Sequence, residues 1–387
     1  MSKKITGVKL SEPKVWRNTY GDVWETIWAE DDNLYTVSDD TFGIAYEEFP
    51  DFSKNPGANF SVNMFCGDSL DNLKGKTINH MLEYGGGCAK VPDGCSDGCC
   101  WKAMGITSVD DVLYVSIGRH DYGTKGEDMS LRQTSRNASI IKSTDKGRTW
   151  VRSSDDCYKN PMFMGGKFGT PYFIHYGKAG EETVHNSDKY VYAISNNGFW
   201  DNGDNMKLGR VLKTKIGNLD AADWEYYKGG NGMEDESWSK YINDAVTDKA
   251  GYILDNPGKC SMTGACYIQE LEKYIMIQWY YTAGAGSTRN PEKLANLGLT
   301  NAGEETVWDF YESDFPWGPW TKFHSHTYKP IGAYNPCIVP KFTSHDGKKI
   351  VIFTNGSFHT QDFKGDDMIY RLMTIECELE LAVPKPF

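Results

Sequence analysis

The chain has 387 residues, a formal net charge of −12, 13% aromatic residues and 40 glycines. The acidic balance disfavours a nucleic-acid backbone or an anionic membrane as the main partner. No apolar run approaches the roughly 20 residues that cross a bilayer, and the first residues lack the apolar segment of a signal peptide.

A strand pattern recurs five times along the chain, with starts at residues 31, 110, 187, 270 and 346. Each copy begins in a polar turn and continues as a β-branched or aromatic run, which is typical of a strand. Another apolar strand precedes each copy, and further strand-like segments follow it. A four-stranded repeat of about 80 residues predicts a β-propeller.

The predicted fold class is therefore all-β, with residues 1–387 forming a single-domain β-propeller of five four-stranded blades. A seven-bladed ring is the alternative if the segment 42–87 contains additional strands. The first strands of the blades are predicted at residues 23–29, 101–108, 169–176, 264–269 and 335–341.

Residues 143–150 match the Asp-box pattern S-x-D-x-G-x-T-W, a turn between the third and fourth strands of a propeller blade. Connections alternate between the two ends of an antiparallel blade, so the loops after the second strands open at the other end. Exposed loops on a rigid scaffold are where reactive groups are usually placed. The residues after the five second strands should therefore meet at one mouth of the ring.

The predicted mouth contains carboxylates, a histidine, amides and phenols, all suited to carbohydrate. Its residues are Asp39, Asp40, Arg119, His120, Asp121, Asn196, Asn197, Tyr280, Tyr281 and Asn355, and Arg210 and Arg289 add two further arginines. Each has a structural alternative: His120 at the surface, Asp39 and Asp40 in turns, and Arg210 paired within its blade.

Ten cysteines are present, and five of them lie between Cys66 and Cys100. The segment at about 85–101 is predicted to be a Cys-rich loop insertion. Disulfide bonds are the favoured interpretation, which indicates a secreted, extracellular protein. A structural metal ion, calcium or zinc, and free thiols are the alternatives.

The order of motifs from residue 110 to 213 resembles a known group of carbohydrate-active propellers. His120 ends one strand, the Asp box follows, and then come the segments 168–173, 190–193 and 208–211. This series resembles the propeller polysaccharide lyases, the ulvan lyases and rhamnose–glucuronate lyases. It is also similar to the propeller α-rhamnosidases and endo-arabinanases.

The resemblance implies a lyase that cleaves next to a uronic acid by β-elimination. His120 and Tyr192 would be the base and the acid, and Arg210 would neutralise the substrate carboxylate. The partner would be an anionic polysaccharide or oligosaccharide bound by a monomer, with no cofactor required and no metal in the site. Tyr192 could instead belong to the core of its blade.

Two other functions stay open. A glycoside hydrolase of the rhamnosidase, arabinanase or sialidase type would use paired carboxylates, with Asp39 or Asp40 as nucleophile or base and Asp121 or Glu270 as acid. A non-catalytic glycan-binding propeller is the third alternative. The five second-strand exits differ from one another, which favours a single composite site over repeated lectin pockets.

Overall fold

The computed structural model describes residues 3–45, 57–86, 96–122, 133–282, 305–328, 333–356 and 370–382. Its strands, in chain order, are β1 Ile5–Leu10, β2 Lys14–Val15, β3 Thr19–Trp28, β4 Leu34–Ile44, β5 Ala58–Cys66, β6 Lys74–Asn79, β7 Cys100–Val109, β8 Val112–Asp121, β9 Thr134–Ser143, β10 Tyr172–Tyr176 and β11 Tyr190–Ser195. They continue with β12 Gly203–Leu212, β13 Glu225–Tyr227, β14 Trp238–Ser239, β15 Tyr252–Cys260, β16 Ala265–Ile268, β17 Lys273–Tyr281, β18 Thr306–Ser313, β19 Thr321–Tyr328, β20 Tyr334–Ile338, β21 Lys349–Asn355 and β22 Leu372–Leu381.

Helices are short and lie between strands. In the described ranges the α-helices are α1 Lys213–Ile216 and α2 Ile242–Val246. Single turns of 3-10 helix occupy Leu82–Tyr84, Lys178–Gly180, Ala221–Asp223, Asp235–Ser237, Thr247–Lys249, Gln269–Leu271 and Pro340–Phe342.

The described strands group into five antiparallel units, which we number in chain order. Unit 1 is β3 to β6, unit 2 is β7 to β9, unit 3 is β10 to β13 with β14 and β15, unit 4 is β16 to β19, and unit 5 is β20 to β22 with β1 and β2. The first strands β3, β7, β10, β16 and β20 pack against one another in cyclic order. The prediction of an all-β propeller is confirmed.

The amino-terminal strand β1 closes the ring. It pairs antiparallel with β22, with Val8 opposite Leu379 and Leu10 opposite Cys377. The described part of the segment 42–87 forms β5 and β6, the third and fourth strands of unit 1.

Strand β8 shows why the inner strands are nearly continuous apolar runs. Alternate side chains face opposite sides of a strand. Leu113, Val115 and Ile117 pack in a cluster shared with unit 1, while Tyr114 packs in a cluster shared with unit 3. Burying a side chain of this size stabilises the fold by about 2 kcal/mol, so the blades adhere through both faces.

The Asp box forms the turn that its pattern predicts. The Asp145 carboxylate accepts hydrogen bonds from the backbone N–H groups of Arg148 and Thr149 and from the Thr149 hydroxyl. The chain then returns along β9, where Lys142 bridges to Val151.

The structure does not support the predicted disulfides. No disulfide joins any two of the eight cysteines in the described ranges, and six of these eight are buried. Cys88 and Cys95 lie outside the described residues. In the described residues, no helix is both long enough and apolar enough to span a membrane.

Candidate active site

A polar cavity lies where units 1, 2 and 5 meet. We call it the central cavity, and its lining residues are Asp22, Asp39, Asp40, Lys102, His120, Tyr122, Gln133, Trp200, Tyr334 and Tyr370. They come from the first strands of three units, the second strands of two units, and loops. Their convergence on the ring axis follows from the propeller geometry.

Three carboxyl groups enter the cavity from unit 1. Asp22 in β3 lies directly opposite Asp39 in the antiparallel pairing with β4. Asp40 has a positive φ of 43°, and Val23, which follows Asp22, has a φ of 56°. Such backbone conformations are uncommon outside glycine and are strained for a β-branched residue. This distortion of the β3–β4 pairing allows the side chains of the consecutive residues Asp39 and Asp40 to face the same cavity.

Asp40 is held by two donors. Its carboxylate forms a buried ion pair with the Lys102 ammonium group, and both groups are at most 5% exposed. The Tyr122 hydroxyl lies 3.0 and 3.2 Å from the two Asp40 oxygens. An ammonium and a hydroxyl therefore both donate to the Asp40 carboxyl group.

The pKa of Lys102 reflects that pairing. Burial by itself lowers the pKa of this ammonium group, but the negative charge of Asp40 and its neighbours outweighs burial, and the pKa is well above its ordinary value. Burial also raises the pKa of the Tyr122 hydroxyl well above its usual range. Lys102 is therefore a fixed positive charge beside Asp40.

Asp22 has the opposite environment. Burial, reinforced by the negative charge of Asp40, raises the pKa of Asp22 to about 7, although Lys102 and the Tyr334 hydroxyl oppose the shift. Tyr334 Oη lies 2.6 Å from Asp22 Oδ2, and Oδ1 has no hydrogen-bond partner in the described residues. Asp22 is therefore a carboxyl group that retains a proton near neutral pH.

Asp39 lies deeper and is anchored to the backbone. Its Oδ1 accepts a hydrogen bond of 3.0 Å from the N–H of Ala103 in β7. Burial raises the pKa of Asp39 well above its ordinary value. Asp39 connects the second strand of unit 1 to the first strand of unit 2.

His120 faces the same cavity from β8. One of its ring nitrogens, Nε2, lies 3.0 Å from Oε1 of Gln133. Its ring centroid lies 4.4 Å from that of Tyr122 and 6.5 Å from that of Trp200. The imidazole is thus oriented by an amide and an aromatic neighbour.

Aromatic rings form the opposite wall. Trp200 packs edge-on against Tyr334, with centroids 5.1 Å apart, and against Trp279 at 4.9 Å. Rings of this kind give a sugar an apolar face to stack on.

Several predicted binding residues lie near the cavity without lining it. Arg119 alternates with His120 in β8, points away from the cavity and forms an ion pair with Asp97. Asp121 is the half-buried last residue of β8. The Asn197 amide donates to Asp204, and Tyr281 packs 6.4 Å from Trp200.

The other predictions fall further away. Tyr280 lies beside Lys259, whose Nζ is 5.4 Å from the ring centroid. Glu270 is exposed in the turn between β16 and β17. Asn355 accepts a hydrogen bond from the backbone N–H of Val23, so it supports β3 next to Asp22. Arg289 lies outside the described residues.

Tyr192 and Arg210 are packed within unit 3. They lie opposite each other on β11 and β12, and the Tyr192 hydroxyl donates to the His185 carbonyl at 2.9 Å. The Arg210 guanidinium pairs with Glu225 at 2.8 Å and lies between the rings of Tyr190 and Trp238, 4.1 Å from each centroid. Neither side chain lines the cavity that holds His120.

Sequence reasoning missed most of the cavity wall, namely Asp22, Lys102, Tyr122, Gln133, Trp200, Tyr334 and Tyr370. One signal was present in the sequence. Asp22 lies at the edge of one apolar first strand and Lys102 lies within another, and these first strands form the inner ring. A charge in such a position is costly unless it is paired or functional.

One group in the described residues could hold a metal ion. Glu25, His175 and Cys337 are all buried, and one ligand atom from each lies within 4.8 Å of the other two. None of these residues lines the central cavity.

Comparison with known proteins gave no matching family model and no matching curated protein. A solved structure from Bacteroides ovatus ATCC 8483, provisionally described as a hydrolase, is 14% identical, with a TM-score of 0.53 over 95% of this chain and 87% of that one. RS223-β-xylosidase is 11% identical, with a TM-score of 0.47 and 96% of each chain covered. A GH43_1 enzyme from Xanthomonas citri, solved with xylose, is 10% identical, with a TM-score of 0.45 over 96% of this chain and 93% of that one.

The prediction of a uronate lyase is wrong. The chain shares its fold with a solved structure described as a hydrolase. The lyase interpretation also requires Tyr192 and Arg210 beside His120, whereas both are fully occupied inside unit 3. The chain is a β-propeller with the fold of the Bacteroides ovatus structure.

Proposed function

We propose that this protein is a glycoside hydrolase whose reaction takes place in the central cavity. The observation that carries the proposal is a pair of carboxyl groups with opposite environments: Asp22, whose pKa is raised to about 7, and Asp40, which is paired with Lys102. Glycoside hydrolysis needs one carboxylic acid and one carboxylate flanking the bond that breaks.

In this mechanism Asp22 donates its proton to the glycosidic oxygen as the leaving group departs. Asp40 acts on the other side of the sugar ring, either as the nucleophile or as the base that activates water. Lys102 and Tyr122 fix the orientation of the Asp40 carboxyl group. His120, oriented by Gln133, donates to or accepts from a sugar hydroxyl.

The preferred sugar is neutral. Among the described lining residues the single lysine or arginine is Lys102, and its charge is already matched by Asp40. A uronate or sialate would bring its own carboxylate next to three aspartates, without a further cation to neutralise it. Trp200 and Tyr334 supply a stacking surface that is indifferent to charge.

The first experiment screens the purified protein against neutral and uronate-containing polysaccharides. Reducing ends should appear on a neutral glycan, without the ultraviolet absorbance of an unsaturated uronate product. Binding without any new reducing ends, across the whole panel, would instead identify a non-catalytic glycan-binding propeller.

The second experiment separates the roles of the two carboxyl groups. Asp22→Asn should lose about 10²–10⁴-fold in rate on a natural glycoside and much less on an aryl glycoside whose leaving group needs no protonation. Asp40→Asn should be equally slow on both substrates, and added azide should restore turnover if Asp40 is the nucleophile. The matched control is Asp71→Asn, because Asp71 is an exposed aspartate that pairs with Lys14 at the surface. Wild-type rates in both cavity variants would overturn the proposal.

A further inference from the structure

Glu25, His175 and Cys337 converge inside the ring from three different units. They lie on the first strands β3, β10 and β20, which belong to units 1, 3 and 5. They are 2%, 3% and 4% exposed, and their ligand atoms lie within 4.8 Å of one another. Carboxylate, imidazole and thiol are the three side-chain types that bind zinc in proteins.

The orientation of His175 favours ligation. Its Nε2 lies 3.2 Å from the carbonyl oxygen of Ile106, which can only accept a hydrogen bond, so Nε2 carries the proton. The neutral ring then has its lone pair on Nδ1. A backbone carbonyl that fixes the tautomer in this way is a common outer partner of metal-bound histidine.

Glu25 lacks a compensating cation. No lysine or arginine forms an ion pair with it in the described part of the chain, although its side chain is almost completely buried. A buried carboxylate is costly unless a positive charge or several donors lie beside it. The cluster borders a small cavity, whose other walls include Gly264 and Cys266.

We propose that Glu25, His175 and Cys337 bind one zinc ion, with water as the fourth ligand. Binding releases the protons of the Cys337 thiol and of the buried Glu25 carboxyl group to solvent, so that the carboxylate and the thiolate together balance the two charges of the metal. The soft thiolate favours zinc over calcium or magnesium. This site is separate from the proposed hydrolytic centre, and its test does not depend on hydrolysis.

The ion would hold in place the inner strands whose residues line the central cavity. Asp22 precedes Glu25 by three residues on β3, and Tyr334 precedes Cys337 by three residues on β20. Three residues of strand span roughly 10 Å. Zinc would therefore hold together, across the ring axis, the strands that carry Asp22 and its hydrogen-bond partner Tyr334.

The test begins with the full-length wild-type protein, unfolded in chelator and refolded with either zinc or cobalt. The expected result is one zinc ion per chain by elemental analysis after desalting. The cobalt form should show the strong thiolate-to-cobalt charge-transfer band of a cysteine ligand. Less than a tenth of an equivalent of zinc, or bound cobalt without that band, would overturn the proposal.

Two cysteine variants localise the ion. Cys337→Ser should abolish the charge-transfer band and lower zinc content at least tenfold. Cys266→Ser is the matched control, because Cys266 is equally buried and lines the same cavity without belonging to the cluster. Zinc should raise the Tm of the wild type and of Cys266→Ser. Equal zinc content in the two variants would exclude Cys337 as a ligand, and the wild-type cobalt spectrum decides the matter if Cys337→Ser does not fold.

Discussion

Two ion pairs, each with a buried cation, have different consequences in this propeller. Arg210 in unit 3 lies between two aromatic rings, and its carboxylate partner Glu225 is on the same sheet. Lys102 pairs with Asp40 across two units, at the edge of a cavity that holds two further carboxyl groups. In the first pair the contacts of Arg210 are made within its own blade, whereas beside the second pair Asp22 and Asp39 face the central cavity.

The comparison shows why residue type alone was not enough to assign Arg210 the role of binding a substrate carboxylate. A guanidinium that stacks on Tyr190 and Trp238 has no surface left for a substrate carboxylate. The backbone differs as well, because strained conformations occur at Val23 and Asp40 beside the second pair. Strain of this kind persists at functional sites where the surrounding structure enforces it.

The largest expected effect is on Asp40. Asp40→Asn removes the carboxylate that acts on the sugar and leaves Lys102 buried beside a neutral amide, so kcat/KM should fall by about 10³-fold or more on a neutral glycan. Steady-state kinetics and circular dichroism measure activity and folding together. If the variant folds and retains a tenth of wild-type activity, Asp40 is not part of the reaction.

The complementary change is Arg210→Met. It leaves Glu225 without its main cation and should destabilise the protein by about 3 kcal/mol, measured by denaturant unfolding. Activity per folded molecule should be unchanged, because Arg210 does not line the central cavity. A stable variant without activity would show that Arg210 acts on substrate and would remove the distinction between the two pairs.

The proton on Asp22 should set the alkaline limit of activity. Because the pKa of Asp22 is raised to about 7 and the protonated form is the active one, kcat/KM should fall about tenfold per pH unit above that value. Profiles from pH 5 to 9 on the wild type and on the Asp71→Asn control should coincide. A rate that stays constant to pH 9 would assign the acid to another group.

The smallest effect is expected at the Asp box, far from both pairs. Asp145→Ala removes the acceptor for two backbone N–H groups and a hydroxyl, so the free energy of unfolding should fall by about 1 kcal/mol. The kcat and KM values should match those of the wild type. A change in either value would mean that the turn has a role beyond joining two strands.

The repeat pattern was sufficient to predict the propeller and three of the residues that line the central cavity. Asp39, Asp40 and His120 lie in the second strands that recur along the chain, and the alternation of blade ends places them at one mouth. These residues depend only on which strand they belong to and on which end of it they occupy. Both properties are visible in a hydrophobic pattern.

Asp22 and Lys102 could not be placed in the same way. The predicted first strand begins at residue 23, but the bulged backbone at Val23 extends β3 back to Thr19 and brings Asp22 opposite Asp39. Local conformations of this kind are set by tertiary contacts, here the hydrogen bond from the Val23 N–H to Asn355. Tyr192 and Arg210 were predicted to lie beside His120, but they pack inside unit 3. The reason is related, because the side of β11 and β12 that a residue faces depends on contacts with the neighbouring blade.

The contact between unit 1 and unit 5, which completes the ring, has a consequence for how the protein folds. Asp22 in unit 1 and Tyr334 in unit 5 are 312 residues apart in the chain, and the hydrogen bond between them joins the first and the last unit of the ring. Contacts so distant in sequence form late, after the entropy of closing a very long loop has been overcome. Units 1 to 4 can assemble in order as they leave the ribosome, while the acid group acquires its partner when unit 5 docks. Hydrolytic competence should therefore appear with the final, slowest phase of refolding.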